Sequence, residues 1–170
     1  MVVLKNILVA TDFGAPSAVA LAYGRDLARA YSSTLHVLHI VDDPARRYSA
    51  EVGFVSADLA RDFEARARKE LDLLLTPDDR RKVNVLPVVQ TCLSVAAGIT
   101  GYAKDNAIDL IITGTHGRGA ITHLLMGSVA ERVVRTAPCP VLTVRAHERE
   151  FIAPEATSSA ATATAATATT

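Results

Sequence analysis

The chain of 170 residues contains no tryptophan, four tyrosines, four phenylalanines and two cysteines. Two cysteines, Cys92 and Cys139, are too few for a disulfide framework, so the core must be held by aliphatic packing. Net charge is also absent, because eighteen Lys and Arg cancel eighteen Asp and Glu. No global cationic field is then available to hold nucleic acid or an anionic membrane. Long apolar runs are nearly absent. Residues 83–103 form 21 positions without a charge, close to spanning length. They include Asn84, Pro87, Gln90, Thr91, Ser94, Gly98, Thr100 and Gly101, and read as a buried strand followed by a helix. The opening Met1-Val2-Val3-Leu4 is short for a signal-peptide core, and Lys5 and Asp12 follow it. The expectation is a soluble protein in the reducing cytoplasm, with neither nucleic acid nor membrane as partner.

Large side chains are missing altogether from residues 156–170, which are seven Ala, six Thr and two Ser. Such a segment buries too little surface to offset its ordering entropy. The expected organisation is one domain over residues 1–150 and a disordered Ala/Thr-rich tail over residues 151–170. In the chain as a whole, 49% apolar and 21% charged residues exclude a disordered body.

What is present alternates. Asn6-Ile7-Leu8-Val9-Ala10 is a continuous apolar run, as in a strand covered on both faces. Pro16 and Ser17 open a helix with Ala20, Tyr23, Leu27 and Ala30 as a stripe, ended by Ser32-Ser33. Residues 34–41 read as a second strand, stopped by Asp42-Asp43-Pro44, and residues 45–55 as a loop. Ser56 can cap a helix carrying Leu59, Phe63, Ala67, Leu71 and Leu74, with Arg61, Asp62, Arg66, Arg68, Lys69 and Glu70 on a solvated face. Thr76-Pro77-Asp78-Asp79 closes that helix. A strand over residues 82–89, a helix marked by Val95, Ile99, Tyr102 and Ala103, and a strand over residues 109–113 follow. A last helix begins at Ser128 and ends before Pro138, and Val141–Val144 is a fifth strand. Buried-type strands alternating with helices predict an α/β fold, one parallel sheet with helices on both faces. Such sheets bind ligands beyond the carboxyl ends of their strands, at the switch point. Asp12, Val41 and the segment from Gly114 lie there.

Gly114-Thr115-His116-Gly117-Arg118-Gly119 leaves the fourth strand, and Gly127-Ser128 opens the last helix. Glycines permit positive φ and close backbone approach. A helix amino terminus offers free N–H groups and a positive dipole end to an anion. Together they make a phosphate cradle, with Gly114 and Gly117 at one end and Gly127, Ser128 and Val129 at the other. There is no Walker lysine and no dinucleotide fingerprint after the first strand. The competing explanation is structural: Ser128-Val129-Ala130-Glu131 fits a capping box, which satisfies helix donors without a ligand.

Gly114-x-x-Gly117, nine residues, then Gly127-Ser128 resembles the ATP-binding signature of universal stress proteins. Asn6-Ile7-Leu8-Val9-Ala10-Thr11-Asp12 resembles that family's first segment. Asp109-Leu110-Ile111-Ile112-Thr113-Gly114-Thr115-His116-Gly117-Arg118 and Gly127-Ser128-Val129-Ala130-Glu131-Arg132-Val133-Val134-Arg135 are similar to two more, and the similarity runs from about Lys5 to Arg145. The resemblance implies a Rossmann-like, five-stranded parallel sheet of order 3-2-1-4-5 and a homodimer formed through Val141–Val144. It implies ATP, with Mg2+ or Mn2+, as ligand: base and ribose at Ala10, Thr11, Asp12 and Val41, phosphates at Gly114, His116, Gly117, Gly127, Ser128 and Val129. Arg118 is a further phosphate candidate. Thr91-Cys92-Leu93-Ser94 departs from the family's usual Gly-x-Pro turn, and the Ala/Thr tail has no counterpart in it. The implied role is a nucleotide-responsive stress regulator with at most slow ATP hydrolysis. The alternatives are an adenylate- or phosphoryl-transferring enzyme and a nucleotide-independent dimeric module.

The remaining polar residues are weaker signals. Asp12 is either a nucleotide contact or a turn aspartate bonding its own backbone. His36 and His39 are three apart on a strand, so they face opposite sides and make no metal pair. His116 and His123 with Asp12 make only a weak metal or acid–base group. No nucleophile–base pair is legible.

Overall fold

The structure, a computed structural model, describes residues 2–42, 57–115 and 126–146. The expected Ser56 cap, the loop over 45–55, His116, Gly117, Arg118, Gly119, His123 and the tail lie outside them. The elements are β1 (Asn6–Ala10), α1 (Ala15–Tyr31), β2 (Thr34–Asp42), α2 (Ala57–Leu74), α3 (Pro77–Lys82), β3 (Asn84–Cys92), α4 (Val95–Asp105), β4 (Leu110–Gly114), α5 (Ser128–Thr136) and β5 (Val141–Val144). The strands form one sheet in the order β3-β2-β1-β4-β5, with every pair parallel. This is the doubly wound, Rossmann-like arrangement that the alternation predicts. Among the described residues, no helix is long and apolar enough to cross a membrane.

Successive β1 side chains enter opposite layers, as a period of two requires. Ile7 and Val9 join Leu35, Val37 and Ile112 under Leu21 and Tyr23 of α1 and Leu71 of α2. Leu8 and Ala10 join Leu38, Ile40 and Ile111 under Ile99 and Tyr102 of α4 and Val133 of α5. All four side chains of Ile7, Leu8, Leu35 and Ile111 are withdrawn from solvent, which is why the strands read as unbroken apolar runs.

The α1 stripe is broader than its spacing suggests. Ala20, Leu21, Tyr23, Gly24 and Ala28 are buried, Leu27 is partly so, and Ala30 is exposed. Gly24 is there because the helix lies against the sheet: a Cβ at this position would come within 2.4 Å of Val9 Cγ2 and 3.1 Å of Leu35 Cδ1. Alanine at a helical glycine gains about 1 kcal/mol of propensity, whereas overpacking a core costs about 1–3 kcal/mol. A β-branched side chain on a central strand has little room to yield, so the clash wins. Gly24→Ala is expected to lower stability by roughly 1–2 kcal/mol in urea unfolding. An increase would show that α1 moves off the sheet freely.

The segment Thr76-Pro77-Asp78-Asp79 does not merely end α2. It starts α3. Thr76 is the N-cap, Pro77 sits in the first turn, and Thr76 and Asp79 form a reciprocal capping box. The same residues signal a stop and a start, and α3 then carries the chain to Val83. Consequently β3 begins at Asn84 rather than Lys82 and runs on to Cys92. Its added residues pair with β2, Val41 against Thr91 and Asp42 against Cys92. β4 likewise sits one residue later than expected, at Leu110–Gly114.

His36 and His39 diverge as expected. His36 is buried, with Nδ1 2.8 Å from the Tyr102 hydroxyl, and its Nε2 has no hydrogen-bond partner. Burial holds its pKa below the ordinary value of 6.5. The folded chain therefore binds fewer protons than the unfolded chain just below that pH, and stability must fall as pH drops through this window. Unfolding free energies at pH 7.5 and 5.5 should show the parent losing stability, with a smaller loss in His36→Phe. An equal loss in both would exclude His36 as a source of the slope.

Candidate functional site

The switch point lies between β1 and β4, whose chains leave the sheet toward opposite layers. Ala10 and Thr113 are paired there, so the exits Thr11-Asp12 and Gly114-Thr115 are neighbours. β2 and β3 continue past the end of β1. The β1–β2 ladder stops at Ala10 against Leu38, while β2 continues to Asp42. Four further residues add about 13 Å of wall along one side of the cleft. Val41 lies on that wall, buried, rather than beside Ala10.

The exit from β1 is a dense turn. Thr11 is buried. Its N–H donates to the Leu38 carbonyl at 2.9 Å, and its Oγ1 accepts from the Phe13 N–H at 3.0 Å and bonds Ser17 Oγ at 3.2 Å. Asp12 Oδ1 accepts from the Gly14 N–H at 3.0 Å. The turn-aspartate reading of Asp12 is therefore correct as far as Oδ1 goes. The side chain is only partly buried, at the strand end. Thr11 was expected to touch a ligand; its hydroxyl is already engaged inside the turn.

Gly114 has a different reason from the one its loop suggests. Its φ is not in the left-handed range, and a Cβ there would lie 2.7 Å from Pro16 Cβ and 3.0 Å from the Pro16 carbonyl carbon. The glycine lets the first turn of α1 close over the end of β4. Any larger residue would push the first turn of α1 away from the end of β4.

The far end of the loop is tied to the near end. The Gly127 N–H donates to the Thr115 carbonyl at 2.7 Å, and the Thr115 N–H donates to the Val144 carbonyl at 2.8 Å. The first turn of α5 is thereby fixed beside the exit of β4. The capping-box expectation for Ser128 and Glu131 is not met. The N-cap is Gly127, at φ −71 and ψ 150, and among the described residues no side chain caps the helix. Ser128 is one position too late to cap. Glu131 instead pairs with Arg135, Oε1 to Nη1 3.5 Å. The first bond along α5 runs from the Glu131 N–H to the Gly127 carbonyl. The N–H groups of Ser128, Val129 and Ala130 precede that ladder and are the orphan donors of the helix. Ser128 and Val129 are exposed. A helix start with no side-chain cap, aimed along a strand's carboxyl end, suits an anion.

The structure thus puts Ala10, Thr11, Asp12 and Gly114 at the adjoining exits of β1 and β4, with Gly127, Ser128 and Val129 held beside the β4 exit and Val41 on the β2 wall. Among the described residues, no group of three or more His, Cys, Asp or Glu is arranged for a metal ion. Asp12 and ligand oxygens are what a divalent ion would have here. A separate hollow of about 410 Å3 beside α4 is lined by Gln90, Cys92, Ser94, Gly98, Gly101 and Tyr102 among others. It lies toward the β3 edge, away from the switch point. Sequence reasoning missed His39 and Phe13 as members of the site. The His39 Nδ1 is 2.8 Å from the Thr11 carbonyl oxygen, and the Phe13 and His39 rings lie 4.5 Å apart.

Residues 4–145 match the universal stress protein family as a sequence pattern. A putative universal stress protein of Staphylococcus haemolyticus is 31% identical over 151 residues, covering 87% of this chain and 88% of its own. Among solved structures, a Methanocaldococcus jannaschii protein whose biochemical function was assigned from its structure superposes with a TM-score of 0.71 at 23% identity. It covers 87% of this chain and is itself covered completely. A universal stress protein in complex with cAMP superposes with a TM-score of 0.58 at 19% identity, over 85% of this chain and 98% of its own. One from Archaeoglobus fulgidus in complex with dAMP gives 0.56 at 15% identity, over 85% of this chain and 99% of its own. At these identities the structural likenesses speak for the fold alone.

Proposed function

The chain belongs to the universal stress protein family, and we propose that it is an ATP-binding member acting as a nucleotide-responsive regulator. The observation that carries this reading is the start of α5, which has no side-chain cap and is held at the switch point by the Gly127–Thr115 bond. Free N–H groups at Ser128 and Val129, with Gly127 beside them, receive phosphate oxygens. Ala10, Thr11, Asp12 and Val41 flank the base and sugar. Gly114 shapes the floor, and His116, Gly117 and Arg118 reach the phosphates from the loop. Mg2+ or Mn2+ travels with the phosphates. The two relatives solved with adenine nucleotides, cAMP and dAMP, support the ligand class.

Binding without efficient turnover follows from what the cleft holds. Among the described cleft residues, the acid–base candidates are Asp12, whose Oδ1 is committed to the Gly14 N–H, and His39, whose Nδ1 is committed to the Thr11 carbonyl. Occupancy changes a surface read by a partner. The chain pairs with a second copy through Val141–Val144 and works in the cytoplasm.

Mass spectrometry of small molecules released from the purified chain, joined to a phosphate-release assay, tests this. The expected result is released ATP, slow hydrolysis, and an Asp12→Ala variant with weakened binding. Rapid turnover that Asp12→Ala abolishes while binding persists would replace the regulator with a phosphoryl- or adenylate-transferring enzyme.

A further inference from the structure

We propose that His39 is the positioning residue of the cleft: its Nδ1–H, donated to the Thr11 carbonyl, latches the turn that carries Asp12. The β1–β2 ladder ends at Ala10 against Leu38. Beyond that point both backbone groups of Thr11 are taken by consecutive β2 residues. Its N–H goes to the Leu38 carbonyl at 2.9 Å, and its carbonyl accepts from His39 Nδ1 at 2.8 Å. A carbonyl can only accept, so Nδ1 carries the proton and the tautomer is fixed. A side chain takes over where the backbone ladder stops, and the chain is free to leave the sheet toward α1.

The turn needs such a latch. Phe13 has φ 62, in the left-handed region that side chains with a Cβ avoid. Strained backbone of this kind persists only when its surroundings over-determine it. The bonds from the Phe13 N–H to Thr11 Oγ1 and from the Gly14 N–H to Asp12 Oδ1 are local. His39 supplies the link to the rigid sheet, and its ring also lies against Phe13 at 4.5 Å. Without it, the described bonds between Thr11 and β2 fall from two to one. The role in binding rests on the adenine-nucleotide reading above; the latch itself does not.

Asparagine places an amide nitrogen where Nδ1 stands, whereas glutamine is one methylene longer. The test is amide hydrogen exchange and ATP titration on the full chain, comparing the parent with His39→Asn and His39→Gln. The Ile112 amide, in the centre of the sheet, reports global folding. In His39→Gln the Phe13 and Gly14 amides should exchange about tenfold faster with Ile112 unchanged, and ATP should bind about tenfold more weakly. His39→Asn should restore both. Parental exchange in His39→Gln would overturn the latch, and so would His39→Asn behaving no better than His39→Gln. Faster exchange with unchanged ATP affinity would overturn the positioning role. Failure of the parent itself to bind ATP would defeat the nucleotide reading, and the exchange pattern would still decide the latch.

Discussion

A Gly127→Asp chain is expected to fold as well as its parent and to lose ATP affinity by about a hundredfold or more. The two halves of this result have separate causes. Gly127 is the N-cap of α5 at φ −71 and ψ 150, an extended conformation open to any residue. Aspartate is a better N-cap than glycine by a few tenths of a kcal/mol. Its carboxylate would accept from the N–H groups that are otherwise orphaned, so the helix gains. That same carboxylate would then occupy the place proposed for the phosphates, and like charges so juxtaposed cost several kcal/mol. Thermal unfolding and ATP titration on one preparation separate the two effects. A variant that is stable and still binds ATP as the parent does would put the phosphates elsewhere.

Replacing Asp79 with alanine is expected to cost about 3–5 kcal/mol, the largest stability loss of any surface-distant polar substitution here. Asp79 is almost fully buried at the start of α3. Its Oδ2 accepts from the Thr76 N–H at 2.8 Å, the Thr76 hydroxyl at 2.9 Å and Arg25 Nη2 at 2.8 Å. Arg25 Nη2 also donates to the Leu74 carbonyl at 3.0 Å. One carboxylate thus caps α3 and ties it to α1. Alanine would leave Arg25 inside without its counter-charge, and Arg25 Nε has no hydrogen-bond partner to soften this. For a domain of this size the melting temperature should fall by about 6–20 °C. Asp79→Asn keeps acceptor capacity for Thr76 and loses only the charge, so it should fall between parent and alanine. A shift under about 1 kcal/mol for alanine would mean that the pair contributes no more than a surface ion pair.

The two sites differ in how far the sequence reveals them. The central strands β1, β2 and β4 are legible because their residues are buried on both faces, and the partly buried edge strand Val141–Val144 stands where its short apolar run puts it. The switch point follows from alternation alone, so Asp12 and the Gly114 segment are identifiable without coordinates. What escapes is whatever depends on another element. The end of β3 is set by its pairing with β2, not by its own residues. Arg25 and Asp79 are 54 positions apart, and no local pattern links them. His39 reads as a half-buried strand residue, and only the exit of β1 across from it gives the ring a function. Gly114 and Ser128 both read as ligand contacts in the sequence, and the structure gives each of them a further setting that the sequence does not show. Gly114 makes room for Pro16, and Ser128 stands one residue inside the helix it was expected to cap.

The central claim is that the α5 start and the β1 exit together hold ATP. Equilibrium dialysis of the full chain against millimolar ATP with magnesium tests it most directly. The account predicts saturable uptake approaching about one ATP per chain. No uptake at millimolar ATP would contradict it and leave the start of α5 as a solvated helix end.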